Sequence, residues 1–311
     1  MAAAAAEEEA VFGLASAPPD ATVAYGGHPD QIVDLYLPAP GAGGGRPDPV
    51  DGADPARGAG PAGGAGPAPM VLLLHGGFWR QAYDRSYLTP CAAALAAAGL
   101  PVALAEYRRA GGAGGWPETF EDIAAVRSAV RRHPAAAGRP LVVAGHSAGG
   151  HLALWTAAAA DRVVAVAPVA DLARAHELGL SGGAVAELLG GPDRVAELLP
   201  RTDPVRLLPA PTPVTILHGT ADPDVPVELS RRYVAAARAL AAAPRPGTGR
   251  PGAAPGAGAP GPLPVLRELD GVGHFAPLTP GTGPFRELLD ALRHAPPGRS
   301  AAAGADYAPE A

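Results

Sequence analysis

One serine of this chain lies where a buried strand is predicted to turn abruptly into a helix. Ser147 is the centre of the pattern GHSAG over residues 145–149, which follows the apolar run 141–144 and precedes a helix-forming run from 148 to 160. A turn of this kind holds the serine in strained backbone angles and presents its hydroxyl at the carboxyl end of the strand. The pattern predicts Ser147 as a nucleophile for acyl transfer.

The same G-x-S-x-G pattern occurs a second time, and its surroundings are different. Residues 179–183 read GLSGG around Ser181, but the preceding residues 173–178 are polar and helix-like rather than a buried strand. With 42 glycines in the chain, the pattern alone has low specificity. We therefore interpret Ser181 as a loop or helix-capping residue.

A base for Ser147 is expected on a loop after the last core strand. His274 lies in GVGHF over residues 271–275, directly after the strand predicted over 263–269. Glycines on both sides of this loop allow the imidazole to lean over the edge of the sheet. Three other histidines are less well placed, in the turn itself, on the following helix and at a strand end: His146, His151 and His218. His274 is the predicted base.

A carboxylate that orients the base is expected after the penultimate core strand. Residues 214–217 predict that strand, and the segment HGTADPDVP follows it. Asp222 and Asp224 of this segment are both candidates. Asp171 follows an earlier strand and is an outside candidate, whereas Asp270, beside the histidine loop, is interpreted as structural.

Backbone N–H groups are the predicted donors for a developing oxyanion. The strand over 70–74 ends in HGGFW, and its glycine pair can turn backbone amides toward the nucleophile. Gly76 and Gly77 are therefore predicted to form the oxyanion hole with the N–H of Ala148, the residue after the nucleophile.

The other residues of HGGFW allow two interpretations each. Phe78 and Trp79 are candidates for lining a substrate pocket, and burial against the sheet is nearly as well supported. His75 is interpreted as a residue that stabilises the turn rather than as a catalyst.

Alternating strands and helices predict the architecture that must position these residues. Continuous apolar strands favour a mostly parallel central sheet covered by helices on both faces, an α/β fold in three layers. The predicted core strands cover residues 31–37, 70–74, 101–105, 141–144, 163–169, 214–217 and 263–269. Helices are predicted over residues 87–98, 119–133, 148–160, 227–243 and 284–294.

The chain is predicted to hold one folded domain over residues 21–295. Residues 1–20 are expected to be a flexible leader and residues 296–311 a flexible tail. Gly and Pro concentrate at 39–69 and 244–264, which predicts two disordered inserts. Short leucine-rich helices over about 172–210 predict a small cap.

Composition and charge exclude several classes of function. All 24 basic residues are Arg, so a Schiff-base lysine, a Ser–Lys dyad and a P-loop lysine are excluded. The net charge of −6 and the scattered arginines argue against nucleic acid as a partner. Cys91, the single cysteine, is expected to be a small buried residue. Neither a signal peptide nor a membrane span is recognisable, which predicts a cytoplasmic protein without membrane contact.

Several motifs together resemble the bacterial α/β-hydrolases of the esterase/lipase and kynurenine-formamidase-like group. They are HGGFW at 75–79, GHSAGGHLA at 145–153 and HGTAD at 218–222 followed by Val-Pro at 225–226; EYRR at 106–109 and WPETFED at 116–122 are also similar. This resemblance implies the α/β-hydrolase fold and singles out Asp222 over Asp224. The order Ser147, Asp222, His274 is the order of that fold.

The resemblance also implies hydrolysis through an acyl-enzyme, with Ser147, Asp222 and His274 as catalytic residues. The favoured substrate is a carboxylic ester of small or medium size. The alternatives are an arylformamidase or other amidase, a prolyl-oligopeptidase-like peptidase and, outside enzymes, an inactive hydrolase-fold binding module. No cofactor and no metal are expected, and the sequence leaves the oligomeric state open.

Overall fold

The central element of the fold is a twisted sheet in the order β1-β2-β4-β3-β5-β6-β7-β8. It is seen in a computed structural model that describes residues 2–39, 66–243 and 261–294. Strand β2 pairs antiparallel with both β1 and β4, and all other neighbouring strands are parallel. The predicted α/β fold with a mostly parallel sheet is confirmed.

The bounds of the elements follow the predicted alternation. The strands are β1 Ala21–Ala24, β2 Ile32–Tyr36, β3 Met70–Leu74, β4 Val102–Ala105, β5 Leu141–His146, β6 Arg162–Val166, β7 Val214–Gly219 and β8 Val265–Leu269. The helices are α1 Ala2–Phe12, α2 Thr89–Ala97, α3 Glu118–Arg132, α4 Ala148–Trp155, α5 Leu172–Glu177, α6 Ala184–Leu189, α7 Pro192–Thr202, α8 Glu228–Ala242 and α9 Gly283–Arg293.

Successive residues of the central strands pack into opposite halves of the core. Leu72 and Val143 belong to the cluster that also contains apolar residues of α3, α4 and α8. Leu73 and Val142, their chain neighbours, belong to the cluster formed with α1, α2 and α9. Because side chains alternate along a strand, a strand covered on both faces must be apolar throughout. The unbroken apolar runs of the sequence have this cause.

The amino-terminal segment differs from the flexible leader predicted over residues 1–20. Residues Ala2–Phe12 form an α-helix, and β1 begins at Ala21. Alanine has the highest helix propensity, which favours the helix locally, and Val11 anchors it with only 1% of its surface exposed. A short helix is only marginally stable in water, and burial of Val11 against the α2 and α9 side of the sheet supplies the stabilisation that the alanine run alone does not.

The predicted cap corresponds to α5, α6 and α7. Buried leucines of α6 and α7 belong to the same core cluster as α3 and α4, so these helices are part of the domain's core. Most of the predicted inserts at 39–69 and 244–264, and the tail at 296–311, lie outside the described residues. Within the described ranges, no helix has the length and apolarity that a membrane crossing requires.

Candidate active site

Ser147 occupies the sharp turn between β5 and α4. Its backbone angles are φ 55° and ψ −116°, a conformation that residues other than glycine rarely adopt. Its N–H donates to the Val166 carbonyl at 2.8 Å, which ties the turn to the neighbouring strand. A Cβ on Gly149 would lie 2.3 Å from the carbonyl oxygens of Leu74 and His75, so only glycine allows α4 to start this close to β3.

Asp222 and His274 are brought together from the loops that follow β7 and β8. The Nδ1–H of His274 donates to Asp222 Oδ2 at 2.6 Å. The histidine side chain is 4% exposed and the aspartate side chain 0%. This hydrogen bond fixes the tautomer of the ring, which leaves Nε2 unprotonated and able to accept a proton.

The loop around Asp222 holds this carboxylate in its ionised form. Its Oδ1 accepts from the backbone N–H groups of Asp224 and Val225, each at 2.9 Å. The His218 Nε2 lies 3.4 Å from Oδ2. Burial alone would raise the pKa of Asp222, but hydrogen bonds from His218, His274 and the Val225 N–H together lower it below its ordinary range. Asp224 itself is exposed, so the structure pairs His274 with Asp222 and not with Asp224.

His218 supports the aspartate in a way that sequence reasoning missed. It is fully buried, its Nε2 lies 2.8 Å from the Val225 carbonyl, and its Nδ1 lies 2.7 Å from Ser230 Oγ. The available signal was the spacing of HGTAD, which places a histidine at the end of β7 four residues before the acid.

Within the described residues, Ser147 and His274 are not joined by a hydrogen bond, and His146 is the residue that links them. The ring of His146, next to the serine in sequence, has its centroid 4.4 Å from that of His274. Ser147 is 2% exposed and His274 4%, so both are shielded from solvent. Bonds between a nucleophile and its base often tighten only when substrate is bound.

A partly buried chain of hydrogen bonds connects the loop after β3 with the loop that carries His274. Its members are the Gly76 N–H, the Tyr87 hydroxyl, the His146 ring and the His274 carbonyl, joined by contacts of 2.8, 2.9 and 3.1 Å. Burial lowers the pKa of His146 well below its ordinary value, and the nearby His274 adds to the shift. The neutral ring therefore donates from Nε2 to the carbonyl and accepts from Tyr87 at Nδ1.

The first predicted oxyanion donor is occupied within this chain of hydrogen bonds. Because the Gly76 N–H donates to the Tyr87 hydroxyl, it does not face a reacting carbonyl, and the prediction for this residue is corrected. A Cβ on Gly76 would lie 3.1 Å from the Ser147 Cβ, so the loop does pass directly over the nucleophile. Gly77 and Ala148 remain as the predicted donors, and Ala148 starts a helix where no intrahelical acceptor exists.

His75 orients the peptide that carries the Gly77 N–H. Its Nδ1 lies 2.8 Å from the Gly76 carbonyl and its Nε2 lies 2.9 Å from Glu106 Oε1. In a trans peptide the C=O and the next N–H point in opposite directions. Holding the Gly76 carbonyl against His75 therefore turns the Gly77 N–H to the opposite side of the peptide.

The aromatic residues of the same loop have different surroundings. Trp79 is 1% exposed, and its indole N–H donates to the Ala148 carbonyl at 3.2 Å, so this ring is part of the core rather than an open pocket wall. Phe78 is half-buried against the core. Both residues have positive φ angles, 50° and 57°, which makes this a tightly wound loop.

The rejected and outside candidates each bond to a structural partner other than Ser147, Asp222 or His274. Ser181 accepts a hydrogen bond from Arg80 Nη1 at 2.9 Å. Asp171 caps α5 and forms an ion pair with Arg232 at 2.7 Å. The Thr220 hydroxyl donates to Asp270 at 3.2 Å.

One cluster has the residue types of a metal site. Asp222, Asp224 and His274 each place a ligand-type atom within 4.8 Å of the others. The short hydrogen bond between Asp222 and His274 already uses one oxygen and one nitrogen of this group. The chemistry of the donor set fits a base oriented by a carboxylate better than an ion.

The family of the chain follows from a match over most of its folded part. The model of the family described as BD-FAE matches residues 59–236, more than half of the 311 residues. The chain belongs to the BD-FAE family. The matched range contains Ser147 and Asp222 but ends before His274. No curated protein sequence matches the chain.

Solved esterase structures have the same fold as this BD-FAE member. Esterase B from Lactobacillus rhamnosis has a TM-score of 0.64 at 17% identity, over 93% of this chain and 91% of its own. Propionate-bound esterase Est2 from Thermogutta terrifontis has a TM-score of 0.57 at 22% identity, over 88% and 92%. A truncated carbohydrate esterase from gut microbiota has a TM-score of 0.61 at 17% identity, over 89% and 97%. The resemblance to the α/β-hydrolases of the esterase group is confirmed.

Proposed function

We propose that this protein is a serine hydrolase that cleaves carboxylic esters of small or medium size through an acyl-enzyme. The observation that carries the proposal is the buried 2.6 Å hydrogen bond from His274 to Asp222, beside a serine in a strained turn. A ring held in this tautomer can take the serine proton at Nε2, and the ionised aspartate stabilises the imidazolium that forms.

The reaction proceeds in two stages, acylation of Ser147 and hydrolysis of the acyl-enzyme. His274 Nε2 takes the proton of Ser147 as its oxygen attacks the ester carbonyl, and the Gly77 and Ala148 amides bind the oxyanion. The tetrahedral intermediate expels the alcohol, which receives the proton from His274. His274 then takes a proton from water as the water oxygen attacks the acyl-enzyme. The bond from the acyl group to Ser147 breaks, the serine oxygen recovers that proton from His274, and the carboxylic acid is released. Each oxyanion donor is expected to contribute about 3 kcal/mol to the transition state.

The choice of an ester over an amide is supported by the names of the similar structures. They include a carbohydrate esterase, a propionate complex of an esterase, and an esterase inhibited by a tributyrin phosphonate. An N-formyl amide, as cleaved by an arylformamidase, requires the same residues and differs only in its leaving group.

A labelling experiment tests the nucleophile. A fluorophosphonate probe reacts with an activated serine, and mass mapping is expected to find the adduct on Ser147. Ser147→Ala should abolish both labelling and p-nitrophenyl acetate hydrolysis, with a loss of about 10⁴-fold or more in kcat. Ser181→Ala is the matched control, because it removes the serine of the other G-x-S-x-G pattern and should leave labelling intact. Labelling elsewhere, or turnover by Ser147→Ala, would refute the proposal.

A substrate panel tests the leaving group. We expect kcat/KM for p-nitrophenyl acetate and butyrate to exceed that for N-formylkynurenine by at least about tenfold. The reverse order would assign the protein to the arylformamidases while leaving the serine mechanism in place.

A further inference from the structure

The amino-terminal helix reaches the loop that carries His274. Glu7 of α1 accepts a hydrogen bond from the Gly273 N–H at 2.9 Å through Oε1 and one from the Ala276 N–H at 3.3 Å through Oε2. The two amides lie on either side of His274. One carboxylate from the beginning of the chain therefore holds both sides of the predicted base.

The absence of a side chain at Gly273 lets the Glu7 carboxylate approach the backbone of the His274 loop. A Cβ on Gly273 would lie 2.5 Å from Glu7 Oε2, so any larger residue at this position would displace the carboxylate. Backbone amides that donate to an ionised carboxylate form stronger hydrogen bonds than those between neutral groups. The glycine before His274 thus serves a close approach and not only a turn.

The end of the helix also contacts the other side of the site. The Phe12 ring stacks on Tyr87 with a centroid distance of 5.5 Å and meets Phe275 edge-on at 5.4 Å. Tyr87 is the residue that joins the Gly76 N–H to His146. Since Val11 anchors the same helix in the core, α1 is fixed against the histidine loop and the oxyanion loop together.

We propose that Glu7 is a positioning residue, which sets the orientation of His274 by holding the backbone on both sides of it. This inference rests on the proposed function, because it assigns to α1 a role in the reaction of Ser147. Glycines at 271 and 273 leave the loop little stiffness of its own, and the 2.6 Å bond to Asp222 fixes the ring but not its backbone. The Glu7 contacts hold the amides on both sides of His274, and the His146 bond holds its carbonyl.

Kinetics separate positioning from general stability. Glu7→Ala in the full chain is expected to lower kcat for p-nitrophenyl acetate about tenfold with KM within about twofold of wild type, since the geometry of the base and not substrate binding is changed. Glu7→Gln keeps one acceptor oxygen for Gly273 and should lose only about threefold. Glu8→Ala is the matched control, because Glu8 is an exposed neighbour on the same helix.

Hydrogen exchange gives a second measurement that does not depend on activity. The Gly273 and Ala276 amides should exchange at least about tenfold faster in Glu7→Ala than in wild type or Glu8→Ala, with other core amides unchanged. Equal kcat and equal exchange in Glu7→Ala and Glu8→Ala would overturn the inference while Ser147 labelling still holds. If the fluorophosphonate probe fails to label Ser147 in the wild-type protein, the proposed function is refuted instead.

Discussion

At the residue scale, two hydrogen bonds fix the side chain and the carbonyl of His274 separately. Its Nδ1 donates to Asp222, and its backbone carbonyl accepts from His146 Nε2 at 3.1 Å. The ring is thus held by the loop after β7, and the main chain by the last residue of β5. The buried, neutral ring of His146, next to the nucleophile in sequence, therefore serves as the donor that holds the main chain of His274.

Replacement of the aspartate tests its role directly. In Asp222→Asn the amide can donate to Nδ1, which favours the tautomer that cannot accept the serine proton. We expect kcat for p-nitrophenyl acetate to fall about 10³- to 10⁴-fold with the fold intact, as judged by circular dichroism. Asp224→Asn, at an exposed position two residues away, should retain activity within about twofold. Equal losses of activity in both variants would mean that Asp222 is not the residue that orients His274.

The structure brings together Asp222 and His274, two residues that the sequence singles out at strand ends within local motifs. Asp222 and His274 each follow a strand of a parallel sheet, and the carboxyl ends of such strands meet at one edge. The Gly76 donor was mispredicted because its partner, the Tyr87 hydroxyl, comes from a segment beyond the motif. Glu7 carries no motif, and its contact spans 266 positions of sequence, so only the fold could reveal it.

At the element scale, the site depends on how closely α4 approaches β3. The helix starts directly after Ser147, and its first turn lies against the end of β3, where a Cβ on Gly149 would clash with the Leu74 and His75 carbonyls. The same close approach places the Gly76 loop over the serine. The β5–α4 turn and the β3 loop therefore form one packed unit.

Gly149→Ala tests this unit. The added methyl group would lie 2.3 Å from two backbone oxygens, and neither strand β3 nor helix α4 can move without moving Ser147 or Gly77. We expect the free energy of unfolding to fall by about 2–3 kcal/mol and kcat to fall at least about tenfold. Urea unfolding and steady-state kinetics measure the two effects.

Gly27→Ala is the matched control for that substitution. A Cβ at Gly27 would meet no atom within 4 Å, so stability and kcat should stay close to wild type. Unaltered kinetics in Gly149→Ala would show that the two loops are not coupled as described.

At the scale of the whole molecule, Glu106 joins segments that are distant in sequence. It follows β4 directly, and its buried carboxylate contacts His75 at 2.9 Å, Arg109 at 2.7 Å and Arg85 at 3.3 Å. Burial would raise the pKa of Glu106, but the His75 hydrogen bond and the nearby Arg109 lower it to about 2. Because His75 orients the Gly76–Gly77 peptide, the same carboxylate links global stability to the oxyanion loop.

The pH dependence of stability follows from this shift. A carboxyl group whose pKa is lower in the folded state stabilises the fold above its ordinary pKa of 4.5, and this contribution is lost as the pH falls toward 2. The shift corresponds to roughly 3 kcal/mol at pH 7. Glu106→Gln should therefore be less stable than wild type by about that amount at pH 7, and the difference should shrink steadily between pH 5 and 2 because wild type loses the same contribution.

Urea unfolding at intervals from pH 7 to 2 measures this difference. Glu197→Gln, on the exposed side of α7, removes one carboxylate without a buried partner and should follow the wild-type curve at every pH. A gap between wild type and Glu106→Gln that stays constant with pH would mean that the lost contacts are steric rather than ionic. A gap that closes in the acid range, with kcat also reduced at pH 7, would tie the charge of Glu106 to both the fold and the orientation of the Gly77 amide.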